Sequence, residues 1–253
     1  MLEKNFKVDN LDVYVFDTRK SMGYYVAKDF ANHLRDLQKK QDVVNIIFAA
    51  APSQSDFLSA LKEEQGIDYS RINIFHMDEY VGLSITTEQS FAKFVKDNVV
   101  STFEGANFFP LNGTADMKEE CKRYTDLLRS HPIDIVCLGI GENGHIAFND
   151  PWVADFWDKE DVKIVELDDA CRTQQVNDGC FKAFDDVPKY AFTLTIPTLL
   201  RAKAMFCTVP AATKANAVKR TLTGIIDEDC PATALRIHKN AKLYLDLDSS
   251  KLL

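Results

Sequence analysis

The stretch IDIVCLGIGENGHIAFNDP, residues 133–151, joins an apolar run of strand type to a turn holding three glycines, one histidine, two acids and two asparagines. A strand that breaks into such a turn marks a place where backbone must come close to something, because glycine tolerates crowded or left-handed conformations. The same passage from apolar run to turn recurs on both sides of it. VVNIIFAAA (43–51) leads through PSQ into the helical pattern SDFLSALKEE (55–64), and INIFHM (72–77) leads into DEYVGL (78–83). KAMFCTV (203–209) leads through PAATK into a helix ending near Gly224, and KLYLDL (242–247) reads as a last strand. Between them lie the amphipathic patterns YVAKDFANHLRDLQKK (25–40), SFAKFVKDNVV (90–100) and DMKEECKRYTDLL (116–128), and AFTLTI (191–196) reads as a further strand. Strands alternating with helices predict an α/β fold built of βαβ units around a mostly parallel sheet. No repeat, low-complexity stretch or linker divides the chain, so residues 1–253 are read as a single unit.

Bulk properties narrow the function. With 253 residues, 46% hydrophobic and 27% charged, the chain is long enough to bury a full core. A net charge of −8 argues against a nucleic-acid footprint and against docking on anionic lipid. No apolar run reaches the ~20 residues of a membrane span, and the first ten residues lack the apolar centre of a secretion signal. The six cysteines (Cys121, Cys137, Cys171, Cys180, Cys207 and Cys230) form no C-x-x-C pair. They are expected to be reduced thiols of a cytoplasmic protein, with no zinc site.

In a parallel sheet, ligands bind beyond the carboxyl ends of the strands, so chemistry is expected in the four turns. Asp78 and Glu79 follow a strand. Neighbours on extended backbone point to opposite faces, so one carboxylate can enter a cleft while the other faces away. A carboxylate in a dry site has a raised pKa and suits general-base work. An isolated Asp-Glu pair is more often a solvated turn or a helix cap. Gly139, Gly141 and Gly144 have the G-x-G-x-x-G spacing, but no acidic residue follows in the context that dinucleotide binding requires. His145, with Glu142 and Asp150 near it, suits a proton shuttle, although single histidines are more often structural. APSQS (51–55) opens a helix whose N–H groups face the same sheet edge. Ser53 with Asp56 three residues later equally resembles a plain capping box. Arg172 and Lys214 are candidate cations, each readable as a surface charge.

Together, MDEYVGL (77–83) and GHIAFNDP (144–151) resemble the glucosamine-6-phosphate deaminase (isomerase) family. LNGTADMKEECKRY (111–124) and VPKYAFTLTIPTLL (187–200) are weaker matches in the same order. The related 6-phosphogluconolactonases share the histidine turn but not these two motifs. The resemblance implies a three-layer, doubly wound α/β fold of the ribose-5-phosphate isomerase type and a cofactor-free, metal-free reaction. An amino-sugar phosphate, glucosamine 6-phosphate or an epimer such as galactosamine 6-phosphate, is ring-opened, isomerised and deaminated to a ketose 6-phosphate and ammonia. By this resemblance Asp78 is the base that moves the C2 proton, His145 opens the ring, Asn143 and Asp150 orient it, and Lys214 binds phosphate. Ser53, Gln54, Ser55, Gly144 and Arg172 complete the candidate substrate-binding set. The implied partner is the small sugar phosphate, with no nucleic acid or membrane, and with homo-oligomer formation open.

Three departures from the family stand out. AAAPSQS (49–55) replaces a Gly-Gly-Thr-Pro-like phosphate loop. Asn143 and Asp150 replace an acidic residue and a glutamate. No arginine stands between Thr173 and Phe181, where a phosphate-binding one is expected. A lactone hydrolase using His145 to activate water, and a non-catalytic sugar-phosphate sensor, are the alternative readings.

Overall fold

A computed structural model describes residues 1–177 and 181–253. Cys180 and the last part of the arginine-less segment therefore lie outside the described residues, as does the side chain of Cys171. Among the described side chains, Cys121, Cys137, Cys207 and Cys230 are free thiols.

The chain begins with an antiparallel hairpin, β1 (Leu2–Val8) and β2 (Leu11–Phe16). Helix α1 (Arg19–Gln38) starts at Thr18, whose hydroxyl accepts the Ser21 N–H at 3.1 Å, and buries Met22, Val26, Phe30 and Leu34 along one face. Next come β3 (Val44–Phe48), a 3-10 turn Pro52–Gln54, α2 (Ser55–Leu61), β4 (Ile72–His76), β5 (Asp78–Tyr80), α3 (Phe91–Val95) and β6 (Asn107–Phe109). The middle of the chain supplies α4 (Met117–Ser130), β7 (Ile135–Leu138), β8 (Val162–Glu166), α5 (Asp169–Asn177), β9 (Tyr190–Leu194) and α6 (Ile196–Leu200). The last elements are β10 (Ala204–Val209), a 3-10 turn Ala212–Lys214, α7 (Ala215–Thr223) and β11 (Ala241–Asp246).

Eight strands form one sheet in the order β1-β2-β11-β10-β7-β3-β4-β6, parallel throughout except at the β1–β2 hairpin. The period-2 alternation of each strand sorts its side chains between two apolar layers. Val136, Leu138, Met205, Cys207, Leu243 and Leu245 face one layer. Ile135, Cys137, Phe206 and Tyr244 face the other, where Phe30, Phe48, Phe57 and Phe103 pack edge to face. Helices α1, α2 and α3 cover that aromatic face, while α4, α6 and α7 cover the first. This is the three-layer doubly wound fold.

Two parts of the fold differ from the sequence reading. The run AFTLTI is not a strand of the main sheet. As β9 it forms the centre of a separate antiparallel sheet, β5-β9-β8. The N-terminal hairpin also adds β2 to the parallel sheet beside β11.

From β3 the chain runs to β4 and β6 on one side. It then returns to β7 on the other side of β3 and proceeds to β10 and β11. The order reverses between β3 and β7, and crevices of such sheets form at that reversal.

Candidate active site

A cleft of about 640 Å³ lies at this reversal, beyond the carboxyl ends of β4, β3, β7 and β10. Each strand supplies one part of its wall: Met77 and Asp78, Ala49 to Ser53, Gly139 to Asn143 with His145, and Thr208 to Lys214.

Asp78 and Glu79 divide as alternation requires. Asp78 lines the cleft with 8% of its surface exposed, and Glu79 turns fully inward. The Glu79 carboxylate accepts from the Ser90 hydroxyl (2.7 Å) and from the N–H groups of Phe91 (3.0 Å) and Ala92 (2.7 Å). It therefore caps the start of α3, a structural task that the sequence does not reveal. Burial first, and the neighbouring Glu79 second, push the Asp78 carboxyl up to about 8. Behind it His76 is fully buried and accepts the Leu111 N–H at 2.8 Å. Burial pushes its imidazole down to about 3, so it is neutral and structural.

The glycine turn is folded around His145. Gly141 donates its N–H to the His145 carbonyl at 2.9 Å, and a Cβ on Gly141 would overlap the imidazole ring. Only glycine leaves room for that ring. His145 Nδ1 is buried 3.1 Å from Asp150 Oδ1, so the exposed edge of the ring is the one carrying Nε2. Asn143 closes the unit. Its amide donates to Asp150 Oδ1 at 2.7 Å, and its carbonyl oxygen accepts the His145 N–H at 3.0 Å. Burial pushes the Asp150 carboxyl up, but the His145 ring and the Asn143 amide outweigh it and hold it below the usual carboxylate range. Arg220 of α7 donates to the Asn143 carbonyl at 3.2 Å and ties the turn to the helix layer.

Strand β9 connects the two halves of the site. Thr193 pairs with Asp78 in the small sheet, and its hydroxyl accepts the Phe148 N–H at 3.1 Å. Buried Asn149 donates to the carbonyls of Ile146 (2.9 Å) and Leu194 (2.8 Å). The strand AFTLTI thus fixes the histidine turn and the Asp78 strand to one support.

Two alanines of the wall have left-handed backbone: Ala147 (φ 54°) and Ala211 (φ 83°). Such conformations are strained for a residue with a Cβ. At Ala211 the Asp246 carboxylate holds the N–H, with oxygens at 3.1 and 3.3 Å, and so fixes the turn that carries Lys214.

Of the sequence-predicted residues, Asp78, Asn143, His145, Asp150, Ser53 and Lys214 line the one cleft. Four others do not. Gln54 is fully buried and donates to the Leu138 carbonyl (3.0 Å) and the Thr208 hydroxyl (2.7 Å), cross-linking strand ends from behind the wall. Ser55 starts α2 outside the cleft. Gly144 has φ +94°, and a Cβ there would lie 2.6 Å from Cys230 Sγ, so its glycine serves packing. Arg172 is 5% exposed. Its guanidinium donates to the carbonyls of Val187 and Phe184 and stacks 3.9 Å from the Phe184 ring, which commits it to the core. The capping box at Ser53 is also absent. The turn begins at Ala51 with Pro52 in its first position and has no side-chain cap. Asp56 instead pairs with Arg19.

Sequence reasoning missed Arg19, Thr208 and the far wall of Tyr80, Phe91, Phe148, Trp152, Asp168 and Gln175. Arg19 had a signal: it follows Thr18, an N-cap type, after a β-rich run. No group of three or more acidic, histidine or cysteine side chains able to hold a metal occurs among the described residues. No helix among them is long and apolar enough to cross a membrane.

Residues 17–245 match the family model of glucosamine-6-phosphate isomerases/6-phosphogluconolactonase. The glucosamine-6-phosphate deaminase of Listeria monocytogenes is 34% identical over 211 residues, spanning 83% of this chain and 88% of that protein. That of Bacillus cereus is 37% identical over 187 residues, spanning 74% and 70%. Among solved structures, a monomeric glucosamine-6-phosphate deaminase superimposes with a TM-score of 0.85 at 29% identity, over 95% of this chain and 99% of its own. The 6-phosphogluconolactonase of Thermotoga maritima, at 17% identity and a TM-score of 0.75, shares the fold over 93% and 99%.

Proposed function

The chain belongs to the glucosamine-6-phosphate isomerase/6-phosphogluconolactonase family, and from that membership and the cleft we propose that it is an amino-sugar-phosphate isomerase/deaminase, converting glucosamine 6-phosphate or a close epimer and water to a ketose 6-phosphate and ammonia. One observation carries the reading: a buried carboxyl raised to about 8, Asp78, shares the cleft with an imidazole backed by a carboxylate. A lactone hydrolase needs a group to activate water but none to take a proton from carbon. The buried carboxyl therefore favours isomerisation.

The proposed steps use the residues of the cleft in the roles that the family resemblance implies. His145, with Asp150 3.1 Å from its Nδ1 and its backbone N–H held by Asn143, moves a proton between the anomeric hydroxyl and the ring oxygen and so opens the pyranose. Asp78 in its carboxylate form takes the C2 proton, made acidic by the C1 carbonyl, and returns it to C1. An enediol-like intermediate links the two steps. A carboxylate with a raised pKa is the stronger base, and desolvation supplies the rise. C2 becomes an imine, and water replaces its nitrogen to leave the ketose and ammonia. Ser53 and Lys214, both in the cleft wall, are the proposed phosphate ligands. The cytoplasmic location read from the sequence belongs to the same proposal.

The test is ammonia release from glucosamine, galactosamine and mannosamine 6-phosphates. Release from at least one of them supports the reading, and release from none, with hydrolysis of 6-phosphogluconolactone instead, overturns it.

A further inference from the structure

Beyond Lys214 and the ring of His145, the cationic side chain in the cleft wall among the described residues is Arg19. It occupies the first position of α1 and lines the same cleft as Ser53 and Lys214. Its placement is built rather than incidental. Nε donates to the Asp56 carboxylate, and one Nη2 proton goes to the Pro52 carbonyl at 2.7 Å. The five N–H donors of a guanidinium form a rigid fork. Two of them fix the plane, one on Asp56 of α2 and one on Pro52 of the PSQ turn, and these bonds leave the other donors uncommitted. Gly23, one helical turn beyond Arg19 on the same face of α1, makes the approach of Asp56 possible. A Cβ on Gly23 would lie 2.6 Å from the Asp56 Cβ and 2.7 Å from its carbonyl carbon. The sequence RKSMG thus pairs a cation with the glycine that admits its anchor.

We infer that Arg19 is a substrate-binding residue that takes the phosphate monoester of the sugar together with Ser53 and Lys214. The inference rests on the proposed function for the identity of the sugar, but the anion site itself does not depend on turnover. A planar, permanently charged fork matches phosphate oxygens bidentately. It adds charged donors beside the turn AAAPSQS, two positions of which offer no N–H. Pro52 has no N–H to offer, and the Gln54 N–H is bonded to the Ala51 carbonyl at 3.0 Å. Asp56 acts as a positioning residue, holding Arg19 at the wall instead of in solvent.

The experiment uses the full chain with Arg19→Met and Arg19→Lys. Steady-state kinetics are measured on glucosamine 6-phosphate, and inorganic phosphate is titrated against thermal denaturation. Loss of a charge-assisted contact corresponds to a roughly 10- to 150-fold rise in KM. The expected result is that rise for Arg19→Met with kcat within a few-fold of the parent, a smaller rise for Arg19→Lys, and loss of the Tm increase that phosphate gives the parent. A purely structural role would lower Tm in phosphate-free buffer and leave KM unmoved. KM and phosphate stabilisation unchanged in both variants overturns the inference while the proposed function stands. A parent inactive on every amino-sugar phosphate, but stabilised by phosphate only while Arg19 is present, overturns the function and supports the anion site. A parent neither active nor stabilised by phosphate overturns both.

Discussion

Replacing Asp78 by Asn removes the proposed base and keeps its shape. An amide cannot accept a proton from carbon, so turnover should fall on the order of 10²–10⁴-fold, the usual worth of a positioned general base. The raised carboxyl also predicts a pH dependence. With the carboxyl raised to about 8, the carboxylate is a minor form at pH 6 and the dominant form at pH 9. The kcat/KM of the parent should rise about tenfold per pH unit below that value and then flatten. The substrate's own phosphate titrates near 6, so a substrate-free measurement must accompany the profile. The unfolded carboxyl releases its proton near 3.8, whereas the folded one keeps it until about 8. The stability this group contributes is therefore fully present below about 3.8 and is lost as pH rises towards 8. Each pH unit between those two values is worth about 1.4 kcal/mol, so the cost at pH 9 is on the order of a few kcal/mol. Asp78→Asn should thus melt higher than the parent at pH 9 and close to it at pH 4. Ammonia release near the parental rate, or an equal Tm difference at both pH values, would refute the reasoning.

Three further outcomes follow from the same geometry. His145→Gln should slow the cyclic amino sugar far more than C2-proton exchange in an open-chain analogue, and equal losses would leave His145 with a different task. Gly141→Ala, whose Cβ would overlap the imidazole ring, should approach the activity of His145→Gln while the protein still folds; an unimpaired variant would contradict the packing argument. Ala211→Gly relieves a backbone at φ 83° and should stabilise the protein by roughly 1 kcal/mol, read as a higher midpoint in urea; a lower midpoint would show that the turn is not strained.

The sheet was legible because β3, β4, β7, β10 and β11 are apolar runs whose flanks carry turn and helix signals. Their alternation is local, and so is the rule that places a cleft beyond their ends. The assignment of AFTLTI to a second sheet was not legible. A strand's partner is decided by tertiary packing, and β5 is three residues long because β9, not its own propensity, makes it a strand. In the site, the split between Asp78 and Glu79 followed from alternation alone. The fates of Gln54 and Arg172 did not, since each donates to backbone carbonyls distant in sequence. Arg19 was hidden for a related reason. Its value depends on Gly23 and Asp56 meeting between two helices, which no local pattern records.

Glucosamine 6-phosphate carrying deuterium at C2 shows whether this protein removes ammonia by moving a carbon-bound proton. With ammonia and the label both followed by NMR, each ammonia released should be matched by one deuterium leaving C2, found at C1 of the ketose or in water, and Asp78→Asn should stop both together. Ammonia release with the deuterium still on C2 would mean direct displacement of the amine by water and would contradict the account.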